Sequence, residues 1–444
     1  MPCLYFFYPY RRVAAPAASP RENMGIWILE FGFWTFASMH PAHLSIADFT
    51  YNLPQERIAR YPLPRRDASK LLVYKAGTIR ENIFQNLAEE LPAGSLLFFN
   101  ETKVIQARLL FQKPTGGVIQ TFLLNPADAD MSTALAEKKE AAWHCLIGGA
   151  SKWKTGFVPE IVTEDFTLQA RITDRNPEYF TVLFSWDNPA LCFGEVLEKT
   201  GHVPLPPYLH RSDEPADKTR YQSLLARHEG SVAAPTASLH FSDEVLASLK
   251  EKGMGFEKLV LHVGAGTFRP VSSEKMEGHQ MHAEWLEVDK NLLQHLLENC
   301  GKKKIVAVGT TALRSLESLY WMGCKAAQNP GIAPSEIKVT QWEPYDGNVA
   351  TLAVEAALKS LLSWMERQGL EKLVTETGIL LAPPYDFKIA DALVTNFHQP
   401  QSTLLLLVAA FIGEDWKRVY EYALAHDFRF LSYGDGSLLF RDED

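Results

Sequence analysis

Two segments concentrate groups that could bind and act on a small ligand. Residues 230–242 read Gly-Ser-Val-Ala-Ala-Pro-Thr-Ala-Ser-Leu-His-Phe-Ser, and Leu261-His262-Val263-Gly264-Ala265-Gly266-Thr267-Phe268-Arg269-Pro270-Val271 follows. Small residues, prolines and hydroxyls cluster in both, with His240 in the first and His262 in the second. A core strand has no need of that mixture. A backbone that approaches a ligand does, because Gly and Ala leave room and free N–H groups. Gly264 and Gly266 follow a strand, as the loop of a dinucleotide site would, but Phe268-Arg269-Pro270 cannot open a helix and no third glycine follows. What stays open is a cradle of N–H groups for a nucleoside or carboxylate, beside Thr267 and Arg269, or a plain tight turn.

Three further constellations belong with these. Ile305–Val308 leads into Gly309-Thr310-Thr311 and then a helix. Free N–H groups and two hydroxyls at a helix N-terminus suit an anion. Arg314 and Glu317 fall on one face of that helix, as site residues or as an exposed ion pair. His279-Gln-Met-His282 is followed by Glu284. On a helix the two histidines, with His262 as third ligand, would suit a metal. The alternation of residues 283–288 reads instead as a strand, with His282 and Glu284 on one face and His279 off it. Substrate or acid–base histidines fit that better than a metal site, and polar packing is the plainer alternative. Lastly, Thr395-Asn396-Phe397-His398-Gln399-Pro400-Gln401-Ser402-Thr403 ends a strand and opens a helix. Ser402 or Thr403 caps that helix. Asn396 and His398 stand at the strand's C-terminal end, where α/β folds place ligands. There is no GxSxG and no cysteine in a nucleophile motif.

The elements that must position these groups fall into two textures. Lys70–Tyr74 and Ser95–Phe99 read as strands, and Ser45–Phe49 as a short capped turn. Residues 104–198 are β-rich, with strands expected at 105–111, 117–124, 143–147, 167–172 and 179–184, and a loop with a helical piece at 128–142. After Pro204-Leu-Pro-Pro-Tyr208 strands and helices alternate. Strands are expected at 258–263, 304–308 and 392–396, and helices at 243–252, 290–300, 312–320, 348–368 and 403–411.

The chain has 444 residues, room for two or three domains, and a formal net charge of -9, unlike a nucleic-acid coat protein. A local basic face would still serve RNA. The five cysteines are scattered and form no CxxC pair, which fits a reducing, cytoplasmic setting. Residues 1–38 begin aromatic, turn Arg/Ala/Pro-rich and end in an apolar run holding Glu30. That run falls short of the roughly 20 residues a membrane span needs and lacks a small-residue cleavage site. We read it as an extension upstream of a start at Met39, and we expect no membrane partner.

From Leu44 to the C-terminus these segments together resemble the S-adenosylmethionine:tRNA ribosyltransferase-isomerases of queuosine synthesis. The resemblance is carried by Asp48-Phe49, Arg66-Asp67, Leu96–Asn100, Ala107-Arg108-Leu109, Pro204–Tyr208, Arg220-Tyr221-Gln222, Gly230–Phe241, Leu261–Val271, Met281-His282-Ala283-Glu284, Val308–Ser318, Thr395–His398 and Arg429-Phe430 with Ser432–Asp435. It implies a mixed α/β catalytic domain (39–103 and 199–444) with an inserted β-barrel domain (104–198). It also implies transfer and isomerisation of the ribosyl part of S-adenosylmethionine onto 7-aminomethyl-7-deazaguanine at the tRNA wobble position. The products are epoxyqueuosine-tRNA, adenine and methionine. A carbon beside a sulfonium is acidic, adenine leaves with proton donation, and an oxyanion can displace methionine. Such steps need acid–base groups and oriented hydrogen bonds. The expected co-substrate is S-adenosylmethionine, with no metal, and the expected partner a tRNA with a GUN anticodon. The implied catalytic set is His262, His282, Glu284, His398 and Asp435. Substrate binding falls to His240, Gly264, Gly266, Thr267, Arg269, Thr310, Thr311, Arg314 and Asn396. Contact with tRNA falls to Arg65, Arg66, Arg108 and Arg220. The chain departs from the family pattern at Gln106, Ser238 (where Gly is usual), Gln399 and Pro383-Pro384-Tyr385, and in an apparent insertion at 341–376. The alternatives are a paralog that binds without turnover and a metal-dependent hydrolase.

Overall fold

The central strand Leu96–Asn100 is a run of five buried residues, as a strand covered on both faces must be. It lies fourth in a nine-stranded sheet ordered Lys372–Thr377, Glu284–Asp289, Gly255–Leu261, Leu96–Asn100, Ile305–Val308, Ala392–Asn396, Gly436–Phe440, Lys70–Lys75, Thr78–Ile83. The third to sixth strands are mutually parallel, and the strands beyond them at both edges include antiparallel pairs. The structure is a computed structural model and describes residues 39–113, 115–153, 156–177, 179–264 and 271–441. The expected extension 1–38 and the expected ligand contacts of Gly266, Thr267 and Arg269 lie outside those residues.

At the C-terminal end of the central strand one side chain links it to its parallel neighbour. Asn100 donates through Nδ2 to the Leu261 carbonyl at 2.8 Å and accepts from the Leu261 amide at 3.0 Å. A buried amide thus replaces a ladder pair and satisfies both backbone groups. Beyond it the chain turns into His262, Val263 and Gly264.

Residues 104–198 build a second, six-stranded antiparallel sheet: Arg108–Gln112, Val118–Pro126, Glu140–Gly148, Phe180–Trp186, Thr167–Arg175, Glu160–Val162. Its first and last strands approach each other, so the sheet is nearly closed. Burial alternates along Val118–Pro126, as period-two patterning requires. Trp143, Phe111, Phe184 and Leu168 fill the inside. The stretch 128–142 is less loop than its composition suggests. Asp130 caps the helix Met131–Ala136 by accepting from the Thr133 amide at 3.0 Å, and a strand begins at Glu140. The short strand Glu160–Val162 gave no sequence signal.

On the larger sheet the helix starting after Gly309 runs to Gln328, eight residues past the expected end, and is buried almost all round. The helix expected at 348–368 begins only at Val354 and ends at Arg367. It packs on Thr310–Gln328 so closely that a Cβ on Gly323 would lie 2.3 Å from the Ala357 carbonyl oxygen. Lys372–Thr377 then forms the sheet's edge strand. The apparent insertion at 341–376 is therefore integral to the sheet and its helical layer. Ser45 does not cap the turn Ile46–Asp48 through its side chain, contrary to expectation, whereas Ser402 caps Thr403–Ile412 by accepting from the Leu405 amide at 3.2 Å.

Candidate active site

A cleft opens where the parallel strands Ile305–Val308 and Ala392–Asn396 end. That is the position expected for a ligand site in an α/β sheet. Its walls are Ala233–Ala237, Val263, Gly309–Thr311, Thr395–Gln399, Ser402, Leu404, Leu431, Ser432 and Tyr208. Both segments rich in small residues thus contribute, through residues 233–237 and through Val263.

Four of the expected residues line the cleft: Thr310, Thr311, Asn396 and His398. Thr310 and Thr311 form the first turn of the 19-residue helix, so its N-terminal N–H groups and positive dipole end face the cleft. Among the described residues two polar atoms here are buried with no hydrogen-bond partner, Thr311 Oγ1 and Asn396 Oδ1. Each such orphan costs stability unless a ligand satisfies it.

His240 stands directly behind this wall. Its Nε2 is 3.1 Å from Asn396 Nδ2 and its Nδ1 is 2.8 Å from Ser69 Oγ. Asn396 also donates to the Leu431 carbonyl at 3.2 Å. The amide can only donate through Nδ2, so His240 Nε2 accepts and Nδ1 carries the proton. Burial, reinforced by Arg429 and Arg66, pushes His240 down to about 3. Burial pushes His398 down to about 3 as well. Its Nε2 lies 2.9 Å from Thr395 Oγ1, its amide donates to the Tyr420 hydroxyl, and its carbonyl accepts from Tyr51. Both imidazoles are therefore neutral near pH 7 and orient groups by hydrogen bonding.

Glu284 and Arg314 lie beside the cleft. Arg314 Nη1 donates to Glu284 Oε2, Glu284 Oε1 accepts from the Gly264 amide at 3.1 Å, and Arg314 Nε donates to the Ile379 carbonyl at 3.2 Å. The pair ties Gly264 to the Ile379 backbone and to the helix that carries Arg314. Arg314 does not pair with Glu317, the alternative its spacing suggested. Glu317 is wholly buried and accepts from the Lys388 amide at 2.9 Å, the Ile389 amide at 3.0 Å and the Tyr385 hydroxyl at 2.8 Å. Burial pushes its pKa up.

His262 sits behind Val263, with Nδ1 3.3 Å from Thr102 Oγ1 and Nε2 3.4 Å from Glu287 Oε1. That hydrogen bond from His262 holds the Glu287 carboxyl below its usual range, against the effect of burial. A Cβ on Gly230 would lie 2.7 Å from this ring, and Gly230 has φ +143, so only glycine lets the backbone lie against His262.

The other expected residues lie elsewhere. His282 is exposed, just before the strand Glu284–Asp289. Asp435 accepts from the Lys70 amide at 3.1 Å, the Arg429 amide at 2.7 Å and the Arg429 side chain at 3.2 Å, work that holds chain segments together. Arg65 pairs with Asp67 at 3.1 Å, and Arg108 donates to Gln120 at 3.1 Å on the second sheet. Arg66 and Arg220 share a recess next to the cleft. Among the described residues no three His, Cys, Asp or Glu side chains are grouped to hold a metal ion, so His262, His279 and His282 do not make the three-ligand set considered from spacing. Ser238 is buried outside the positive-φ region, so replacing the usual glycine strains no backbone. Tyr208 and Ser432, joined at 2.6 Å, line the cleft although sequence reasoning gave neither a role. Both stand inside motifs that carry the resemblance, but a hydroxyl 224 positions from its partner has no local signature.

Comparison with known proteins points to one family. The family described as "Queuosine biosynthesis protein" matches residues 46–439. The S-adenosylmethionine:tRNA ribosyltransferase-isomerase of Halothermothrix orenii is 38% identical over 403 residues, covering 89% of this chain and 100% of the relative. The protein of that name from Aquifex aeolicus is 36% identical over 400 residues, with the same 89% and 100% coverage. A solved structure of S-adenosylmethionine tRNA ribosyltransferase from Thermotoga maritima is 28% identical, with a TM-score of 0.42, covering 88% of this chain and 100% of that one. With the family matched across nearly the whole of the described sheet system, the chain belongs to the queuosine biosynthesis family of S-adenosylmethionine:tRNA ribosyltransferase-isomerases.

Proposed function

We propose that this chain transfers and isomerises the ribosyl moiety of S-adenosylmethionine onto 7-aminomethyl-7-deazaguanine in tRNA, releasing adenine and methionine. The observation that carries the reading is the cleft at the strand ends, with Thr311 Oγ1 and Asn396 Oδ1 buried and unpartnered among the described residues. Asn396 Oδ1 accepts a hydrogen bond, which an exocyclic amino group such as adenine's would supply. The Thr311 hydroxyl and the helix N-terminus offer donors to an electron-rich atom beside it. His398, neutral and anchored through both backbone groups, orients the ligand; it does not enter as an imidazolium. The Glu284–Arg314 pair serves as a positioning element that holds the Gly264 amide beyond the end of its strand. His262, between Thr102 and Glu287, is the histidine whose hydrogen bonds best suit proton movement. The six-stranded sheet acts as an inserted domain, the site works in the cytoplasm without a cofactor beyond S-adenosylmethionine, and the partner is a tRNA with a GUN anticodon. The test is direct: adenine release from S-adenosylmethionine, with the aminomethyl-deazaguanine tRNA present or absent. Release only with the modified tRNA supports the reading; binding of both substrates without release would select the non-turnover alternative.

A further inference from the structure

Arg66, Arg220 and Arg429 come from three remote parts of the chain and line one recess. Their convergence is unfavourable by itself: burial and then the charge of Arg220 pull the Arg66 pKa down. Among the described residues only Arg429 of the three has a carboxylate partner, Asp435 at 3.2 Å. Arg66 donates to the carbonyls of Gln222 and Thr219, both at 2.8 Å. Arg220 donates to those of Pro64 at 3.1 Å and Leu63 at 2.6 Å, and its buried Nε has no partner among the described residues. Carbonyls fix the two forks in place and leave their charges uncompensated. Among the described residues the Arg66 and Arg220 guanidiniums have carbonyl but no carboxylate partners, which is the chemistry that receives an oxyanion.

Its location says which one. Ser432 lines both the recess and the cleft. His240 lines the recess and accepts from Asn396 of the cleft. An anion held here sits about one side chain from a ligand in the cleft, as a backbone phosphate sits beside its own nucleoside. Each guanidinium carries five N–H groups, so those the carbonyls do not take can still donate to phosphate oxygens, with the charge held in a fixed orientation that a lysine does not provide. We propose that Arg66, Arg220 and Arg429 form a phosphodiester subsite for the RNA strand flanking the target nucleotide. The proposal rests on the tRNA-modifying function.

The experiment measures the affinity of the full-length protein for an anticodon stem-loop RNA bearing the aminomethyl-deazaguanine, across a salt series. Wild type, Arg66→Gln, Arg220→Gln and the corresponding lysine variants are compared, with the exposed Lys417→Gln as control. S-adenosylmethionine affinity is measured separately without RNA, and thermal unfolding checks each variant. The glutamine variants should bind RNA at least about tenfold more weakly. Their log–log salt slope should be shallower by roughly 0.7 for each phosphate no longer neutralised. S-adenosylmethionine affinity should not change. Lysine variants should keep the slope and bind more weakly; if the glutamine variants unfold, these decide, and unchanged lysine affinity overturns the proposal. An unchanged slope in folded glutamine variants also overturns it. A parallel fall in S-adenosylmethionine affinity overturns it too and gives the recess to the methionine carboxylate. A wild type that binds no such RNA defeats the functional reading itself, a result distinct from a normal wild type with an insensitive slope.

Discussion

Thr311 is the residue where stability and function pull apart most clearly. Its buried hydroxyl has no partner among the described residues, so it costs the free protein a share of the roughly 1–3 kcal/mol of an unsatisfied group. Thr311→Val keeps the shape and removes the orphan. Thermal unfolding should show equal or higher stability, while the KM for S-adenosylmethionine rises about tenfold. A lower melting temperature with unchanged KM would remove Thr311 from the site. The two buried histidines make a second residue-scale prediction. Their folded pKa values lie near 3, below the ordinary 6.5, so between these values the unfolded chain binds more protons. Their contribution is complete above pH 6.5 and is lost as pH falls toward 3. The expected slope is about 1.4 kcal/mol per pH unit for each histidine. Denaturant unfolding from pH 7 to pH 5 measures it, and a flat profile would mean the rings are accessible to protons. At this scale the sequence was partly legible. Thr310, Thr311, Asn396 and His398 were readable because strand ends and helix starts have local signatures. The work of Asp435 was not, because its partners Lys70 and Arg429 come together only in the fold.

At the scale of elements, the helix Val354–Arg367 is held by a backbone-to-backbone approach. Gly323→Ala would push a methyl into the Ala357 carbonyl, 2.3 Å away. Overpacking of this kind costs about 1–3 kcal/mol, so the melting temperature should fall by several degrees. Unchanged stability would mean the two helices separate easily. No residue of this helix lines the cleft, so its removal would act on stability before substrate binding. Gln341 makes a different contact. It accepts from the Met281 amide at 2.8 Å and donates to the His279 carbonyl at 2.9 Å, as a neighbouring strand would. Gln341→Ala should speed hydrogen exchange of the Met281 amide at least about tenfold. Unaltered exchange would show that the segment is held by something else. Element types were legible from period and caps, while ends were less so. Thr310–Gln328 outran its expected end because a helix buried almost all round shows little of the polar face that marks a helix's limits.

At the scale of the whole molecule, the sequence announced a strand-rich stretch followed by α/β alternation, and the structure has both. Strand order was hidden. Nothing local says that Lys70–Lys75 pairs beside the C-terminal strand Gly436–Phe440, or that 372–377 closes an edge. Those pairings are set by long-range burial and chain reversal. The cleft lies where the parallel strands Ile305–Val308 and Ala392–Asn396 end, and the recess where residues from 62–69, 239–240 and 429–434 meet Arg220. The work proposed for this cleft is ribosyl transfer from S-adenosylmethionine to a modified tRNA, and adenine release measures it with the fewest intervening steps. Purified protein, S-adenosylmethionine and tRNA carrying the aminomethyl-deazaguanine should yield stoichiometric adenine and epoxide-bearing tRNA, and neither should form with unmodified tRNA. No adenine from the complete mixture, while a relative from the same family releases it in parallel, would refute ribosyl transfer by this chain.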